Sequence, residues 1–348
     1  MKMMLMARKN PKPSNQQGFA SIVIALILII VLALLTVGFA QLARREQKNA
    51  LDKQLSTQAF YAAETGVNDT VKLLDSVPNS PDNCLSHAVL PNYTVGPSIN
   101  GVQYTCVLVN LTPPNIKYDN VPAEADRYIQ TSTTVATSSF TVNWGSADGS
   151  TTFPGSTATG FKKLGDWTAA HYPAVLQFSV TPLGDLSRAG LAENTFTVFL
   201  YPVNNGGGSI GYTTVSGIGS NEGKVVAGNC NTANDPQYHC KVTITGITGG
   251  TGPYLFRVIN HYDPSNISIN GIDSLGHPLA FDGQAQIDAT GKAHEVLKRI
   301  QVRVPRHPTY DLPGDALDAQ NICKRFSTDP TTAASFDTAL SAACKLDN

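Results

Sequence analysis

A long uncharged, strongly apolar run from Phe19 to Ala43 constrains this chain more than any other feature of its sequence. A helix of this length measures about 37 Å, which is more than the hydrocarbon core of a bilayer requires. Basic residues precede the run, and the first acidic residue of the chain, Glu46, follows it. Cationic flanks tend to stay in the cytoplasm, and the run is longer than that of a cleavable signal peptide. The sequence therefore predicts a retained single-pass membrane anchor with its C-terminal region outside the cell.

The same helix is predicted to continue far beyond the apolar run, since no proline follows until Pro78. Small residues recur on this second half at three- or four-residue spacing: Ala59, Ala62, Ala63 and Gly66. Such a stripe allows close approach of another helix, which predicts helix packing at these four positions. Alternatively, the stripe seats this half of the helix on the globular region of its own chain. Both arrangements can hold at different heights along one helix.

The region from 78 to 310 is predicted to be rich in β-strands, because its many Gly, Pro, Ser, Thr and Asn residues favour short strands and turns. The candidate strands are 102–110, 138–144, 174–181, 195–202, 240–247, 254–260, 284–289 and 296–304. The last two are expected to form a hairpin that turns at Ala289–Lys292. The Ser- and Thr-rich stretch 131–160 is a candidate boundary between two β units, with a glycosylated stalk as the alternative.

All six cysteines follow the apolar run, which favours disulfides formed outside the cytoplasm. Neighbour pairing is expected, and buried free thiols are the alternative. The expected pairs are Cys84–Cys106, Cys230–Cys240 and Cys323–Cys344. Residues 311–348 are expected to form two short helices clamped by the last pair. The predicted fold class is therefore α+β, with a long N-terminal apolar helix, a mainly antiparallel β region and a short C-terminal helical pair.

The sequence offers few groups arranged for chemistry. Its seven histidines never occur as H-x-x-x-H or H-E-x-x-H, and it contains no phosphate-binding loop or dinucleotide fingerprint. Oxygen ligands for Ca²⁺ occur at Asp263, Asn266, Asn270 and Asp273, without the spacing of an EF-hand, and an Asx-rich turn is the competing interpretation. With a formal net charge of −1, nothing indicates a nucleic-acid partner. The sequence predicts no enzyme, no cofactor and no metal.

Two short motifs on the N-terminal helix carry a resemblance to a known family. Gln17-Gly18-Phe19, after a short basic leader, resembles the processing site of type IV prepilins, and the run AFYAAETGV from Ala59 to Val67 resembles the signature that closes the helix in PilX-type minor pilins. The resemblance covers about residues 14–70. It implies that a prepilin peptidase cuts between Gly18 and Phe19. It also implies other pilins as partners through the helix, a single-pass membrane stage before assembly, and an extracellular pilus as the final location.

One departure from the family pattern concerns the fifth residue after the implied cut. Most pilins carry a glutamate there, whereas this chain has Val23. In the family, that carboxylate is held to neutralise the amino terminus of a neighbouring subunit in the bilayer, where an unpaired charge is costly. PilX-type proteins share its absence, as does the tip subunit of the related secretion filament. The resemblance thus implies a minor or initiating subunit and not the bulk pilin.

The sequence as a whole predicts a non-enzymatic tip or initiating subunit of a type IV pilus or related filament. The alternative is a membrane-anchored surface adhesin or binding module that never enters a filament; an anchored enzyme is a distant third. The expected organisation is a leader at 1–18, the filament helix at 19–77, the β-rich region at 78–310 and the helical segment at 311–348. A mature N-terminus at Phe19 would separate the first two readings.

Overall fold

The computed structural model describes residues 17–90, 93, 101–155, 162, 164–184, 187, 194–211, 224–246 and 252–306. Its first elements in chain order are α1 (Gln17–Lys72), β1 (Val102–Asn110), β2 (Asn115–Val121), β3 (Asp126–Thr131), β4 (Ser139–Ser146) and α2 (Leu164–Ala170). The remaining elements are β5 (Val175–Pro182), β6 (Phe196–Asn204), β7 (Ser209–Gly211), β8 (Lys224–Asp235), β9 (Tyr238–Thr245), β10 (Tyr254–His261), β11 (Ser265–Ile272), β12 (Gln284–Ala293) and β13 (Val296–Pro305).

A long helix followed by a mostly antiparallel β region confirms the predicted α+β class for this part of the chain. Helix α1 contains 56 residues, far more than an ordinary globular helix. Its first half consists almost entirely of apolar and small residues, of which the Ala and Leu residues lose little side-chain entropy in a helix. The helix ends at Lys72, whose charge favours the negative end of the helix dipole, and turns continue to Val77.

Strands β1, β12 and β13 form a small antiparallel sheet in the described structure, in the order β1-β12-β13. The predicted hairpin exists, but its predicted turn was wrong. The chain turns between Ala293 and Val296, where His294 has a φ of 52°, and the expected turn at Ala289–Lys292 lies inside β12. Gly291 suggested a turn from sequence alone; in the structure it allows the close approach of a helix, which is described below.

The larger sheet of the described residues has ten strands, in the order β2-β11-β4-β9-β8-β6-β5-β10-β3, with β7 paired to β9. All pairs are antiparallel except β6–β8 and β7–β9. Inward-facing apolar side chains from these strands form one core. Phe140 meets Tyr254 and Phe256 edge-on there, with ring centroids 5.6 and 4.9 Å apart. The sheet curls, so its two edge strands, β2 and β3, line a common cavity.

The chain enters the large sheet from the small one and later returns to it. Strand β1 belongs to the small sheet, β2 to β11 to the large sheet, and β12 and β13 to the small sheet again. Within the stretch 131–160, where a boundary between two β units was expected, β4 lies between β11 and β9 of the large sheet. The large sheet is therefore an insertion between β1 and β12, and the division of the chain into domains remains a prediction.

Each of the eight predicted strands corresponds to an observed strand. Sequence reasoning missed five others in the described structure: β2, β3, β7, β8 and β11. Two of the missed strands correct specific interpretations. Asn266 and Asn270, expected in a loop with calcium ligands or Asx turns, lie in β11. The residues between Cys230 and Cys240 are polar, which from sequence alone suggests a protruding loop, but they lie mostly in the β8–β9 hairpin, whose tip is Asp235–Tyr238.

The described structure contains two disulfides, Cys84–Cys106 and Cys230–Cys240, and both join neighbours in the sequence. The second bridges two paired residues of β8 and β9. The expected third pair, Cys323–Cys344, and the expected C-terminal helical pair at 311–348 lie outside the described residues.

Candidate functional site: the N-terminal helix and its seat

The first half of α1 carries large apolar side chains that no other described part of the chain covers. From Ile22 to Leu42 these side chains are 41–68 % exposed. Such a continuous apolar surface is far larger than soluble monomers expose, so it requires lipid or other protein around it. By length and composition this helix is able to cross a membrane. The predicted membrane-anchoring character of the helix agrees with this geometry, while its orientation in the membrane remains a prediction.

The second half of α1 packs against the small sheet of its own chain. Ala59 and Ala63 are fully buried, and Gly66 is buried beside β1. A Cβ atom on Gly66 would lie 3.0 Å from Cγ of Tyr104 and 3.2 Å from a methyl carbon of Val107. Small side chains on the helix thus allow its backbone to lie almost directly on β1 and β12.

Gly291 provides the corresponding gap on the sheet side of this contact. A Cβ atom at this position would lie 2.0 Å from the carbonyl oxygen of Ala59 and 2.4 Å from the backbone nitrogen of Ala63. Both distances are far below any real Cβ contact, and both involve backbone atoms that no rotamer change could move. Helix α1 and strand β12 therefore pack backbone to backbone, and only glycine fits at position 291.

The stripe of Ala59, Ala62, Ala63 and Gly66 is consequently covered by the chain's own sheet. Of the two arrangements that the sequence left open, this one matches the seating of the helix on its own globular region. Ala62 is 7 % exposed and the other three are buried, so these positions offer little surface to a second helix. Exposed apolar side chains for helix contacts lie instead along the first half of α1 and, on its second half, at Leu51, Phe60 and Tyr61.

The contact of the second half of α1 with β1 and β12 is the seat of the helix, and a buried polar pair lies at its C-terminal end. The Tyr104 hydroxyl donates to Asp69 at 3.1 Å, and Asp69 is only 5 % exposed. Burial raises the pKa of Tyr104 above its ordinary value, and the neighbouring Asp69 raises it further, so the hydroxyl remains a donor at any physiological pH. Lys72 lies 3.8 Å from Asp69, one helical turn further along. Sequence reasoning missed this pair, since no local pattern links residues 69 and 104.

The segment after the helix is fastened to β1. The disulfide joins Cys84 to Cys106, and the backbone N–H of Leu85 donates to Val107 at 2.9 Å. Ser80 forms an antiparallel bridge with Val109. The polypeptide that leaves the helix is therefore held to the same strand on which the helix lies, and α1 cannot slide along the sheet without disrupting this attachment.

The implied processing site lies at the start of the helix. Gly18 and Phe19 fall in the first turn of α1, which begins at Gln17. Val23 follows on the exposed apolar half and is 41 % exposed. No charged side chain occurs between Phe19 and Ala43 that could replace the missing carboxylate.

The candidate calcium ligands are used by turns and strand contacts. Asn266 accepts the backbone N–H of Asn120 at 2.8 Å, and Asp273 accepts those of Leu275 and His277, each at 2.8 Å. The described residues contain no group of His, Cys, Asp or Glu side chains arranged to hold a metal ion. The competing interpretation, local turn chemistry, accounts for Asp273.

Comparison with known proteins places the resemblance on the same helix. Residues 17–68 match the family model described as PilX N-terminal. The match begins beside the implied processing site and ends one residue before Asp69, so it covers the apolar half of α1 and most of the seated half. This segment of the chain is thus similar to PilX-type type IV pilins, as the two motifs predicted. No match is found among curated proteins or among solved structures.

Proposed function

We propose that this protein is a non-enzymatic minor subunit of a type IV pilus or related filament, acting at the tip or in initiation. The exposed apolar half of α1, rigidly continuous with a half that is seated on the small sheet, carries the proposal. Such a helix has two environments that can cover it, the bilayer before assembly and the helices of other pilins afterwards. The similarity of residues 17–68 to the PilX N-terminal family supports the same role.

The tip or initiating position is inferred from Val23. A subunit within the filament would meet the amino terminus of a neighbour, and burying that charge unpaired in an apolar surrounding costs several kcal/mol. A subunit at the very end has no subunit ahead of it whose amine needs a partner. Valine at this position is compatible with the end of a filament and unfavourable in its repeating interior.

Processing is proposed at the Gly18–Phe19 bond, by a prepilin peptidase, with the C-terminal region outside the cell. Replacement of Gly18 by valine should block the cut and leave a chain that begins at Met1, because a β-branched side chain would stand at the scissile bond. Gly38→Val is the matched control. It lies on the same helix, where an added Cβ meets nothing within 4 Å, and its processing should be unchanged. Intact-protein mass spectrometry reads both results.

Filament counts then test the role of the processed chain. Deletion of the chain, or Gly18→Val, should strongly reduce the number of surface filaments. In the wild type, antibodies against this chain should label the ends of filaments. An unprocessed wild-type chain with normal filaments in the deletion strain would contradict the proposal and favour a membrane-anchored adhesin.

A further inference from the structure

A polar cavity of about 780 Å³ lies between the two edges of the large sheet. Strands β2 and β3 line its opposite sides, and Gln301, Val302, Arg303 and Pro305 of β13 line it from the small sheet. Both edge strands are tied to the segment that begins β12. The Gln284 side chain forms two hydrogen bonds of 3.0 Å with the backbone of Lys117 on β2, and the backbone N–H of Gly283 donates to the Thr131 hydroxyl on β3 at 3.1 Å. The cavity is therefore a fixed part of the fold, and its volume is that of a typical small-molecule site.

Three cationic side chains, Lys117, Arg127 and Arg303, line this cavity. Among the described residues, none of the three forms an ion pair with a carboxylate. Arg303 is half-buried and donates to the carbonyl of Asn115 and, at 2.9 Å, to Gln286. Both partners are neutral, so no carboxylate compensates the guanidinium charge at hydrogen-bond distance.

The two carboxylates of the cavity leave this positive excess in place. Oδ2 of Asp126 is already bound by Arg257, at 2.8 and 3.0 Å, whereas its Oδ1 is buried without a hydrogen-bond partner. Asp119 is exposed and accepts from Gln237 at 3.3 Å. Burial lowers the pKa of Arg303, and the nearby Tyr238 and Asp119 oppose this effect only in part. A partly desolvated cation without a carboxylate partner destabilises the fold, and binding of an anion would offset this cost.

A buried hydroxyl points to the same conclusion from a different residue. Tyr118 lines the cavity, and its Oη atom is buried without a hydrogen-bond partner. Burial raises the pKa of this phenol, and Arg127 opposes the shift, so the group is a neutral donor close to a cation. Leaving such a hydroxyl unsatisfied costs stability, which makes an unpaired donor beside unpaired cations a mark of a missing acceptor.

We propose that this cavity binds a small organic anion, an acidic sugar of the uronic acid type. Its carboxylate would lie between Arg303 and Arg127 and accept from Tyr118, and its hydroxyl groups would meet the side-chain amides of Gln237 and Gln301 at the rim. Guanidinium groups bind carboxylates strongly through charge-assisted hydrogen bonds. The choice of a sugar rests on the extracellular location in the proposed function, whereas the choice of an anion rests on the cavity alone.

The test measures binding to the purified full-length chain in detergent micelles, so it does not depend on filament assembly. Sodium glucuronate, inorganic phosphate and glucose are titrated separately by calorimetry. Glucuronate should bind, phosphate should bind more weakly and glucose should not bind. Tighter binding of phosphate than of glucuronate would overturn the assignment to a sugar acid, and absence of binding by either anion would overturn the site.

Substitutions then locate the binding. Arg303→Gln should weaken glucuronate binding by at least about tenfold, since a charge-assisted hydrogen bond is lost. Lys298→Gln is the matched control, because this exposed lysine on the same strand does not line the cavity. The Lys298→Gln variant should bind glucuronate with the affinity of the wild type. Equal affinities of the Arg303 variant and the control would refute the site.

Tyr118→Phe separates binding from folding. Removing an unpartnered buried hydroxyl should leave the thermal midpoint unchanged or raise it, because no hydrogen bond within the protein is lost. The same change should weaken glucuronate binding by about tenfold, as expected for a hydrogen bond to a charged group. Unchanged affinity would show that the hydroxyl faces no ligand, and a large drop in stability would show that its role is structural.

Discussion

Replacing Gly291 by alanine tests whether the backbone contact between α1 and β12 holds the helix on the sheet. The new Cβ would lie 2.0 Å from the carbonyl oxygen of Ala59, which is 1.4 Å short of the 3.4 Å at which ordinary contact begins. No flexible side chain can yield, because the opposing atoms belong to the helix backbone. The helix must therefore retreat by about 1 Å or more, and a gap of that size forfeits up to half of the dispersion energy of each contact it opens.

We expect Gly291→Ala to lower the free energy of unfolding by about 3 kcal/mol or more, at the upper end of the range for overpacked cores. Gly211→Ala is the matched control. It also lies in a strand, and an added Cβ there meets nothing within 4 Å, so the change should be within about 0.5 kcal/mol. Urea unfolding of the full-length chain in micelles, followed by hydrogen exchange of backbone amides in both sheets, measures both variants. A destabilisation equal to that of the control would refute the backbone-contact argument.

A second substitution shows which atoms cause the effect. Ala59→Gly removes the side chain of Ala59 but leaves its carbonyl oxygen, the atom closest to the new Cβ. Adding it to Gly291→Ala should not rescue stability. Clear recovery in the double variant would mean that side-chain crowding, and not the backbone approach, limits the distance between helix and sheet.

The remaining predictions concern the attachment after the helix and the acidic groups at the end of β4. Replacing Cys84 and Cys106 together by alanine should cost about 3 kcal/mol, the chain-entropy value for a loop of roughly 20 residues, measured by urea unfolding. The Ser146 hydroxyl lowers the pKa of Asp148 more than burial raises it. The ionised Asp148 therefore stabilises the fold at neutral pH, and this contribution is lost as the pH falls through the lowered pKa. Burial raises the pKa of Asp263, which gives the opposite sign: Asp263→Asn should raise the thermal midpoint at pH 7, and this gain should shrink as the pH falls. A gain that is constant from pH 7 to pH 3 would contradict the assignment.

Sequence patterns predicted the elements that are either apolar throughout or clearly alternate between an apolar and a polar face. The apolar half of α1 follows from composition alone, and β9 and β13 follow from alternating Val and Ile residues. Strand β11 alternates as well, with Ile267 and Ile269 buried, yet its outward face carries asparagines that suggest turns. It was missed because local propensity contradicted a pattern that only pairing with β2 and β4 makes decisive.

The candidate site illustrates a different limit of sequence reasoning. The spacing of Ala59 and Gly66 shows that something approaches the helix closely, but spacing cannot say whether that neighbour is a helix or a sheet. The neighbour is the sheet, at Gly291, more than 200 residues away in the chain, where the sequence had predicted a turn. Likewise, the cations of the cavity come from β2, β3 and β13, which only the insertion of the large sheet between β1 and β12 brings together.

Strand β13 connects the seat of the helix with the cavity. Ile300 and Val304 face the core beneath α1, whereas Gln301 and Arg303 line the cavity. Because side chains alternate between the faces of a strand, the polar positions 301 and 303 and the apolar positions 300 and 304 can change without each other, whereas Val302 contacts both the cavity and the core. Substitutions at Gln301 should therefore alter ligand affinity while helix seating stays intact, and substitutions at Ile300 should do the reverse. If both properties changed together in each variant, the strand would move as a unit, and occupancy of the cavity would be coupled to the seat of the helix.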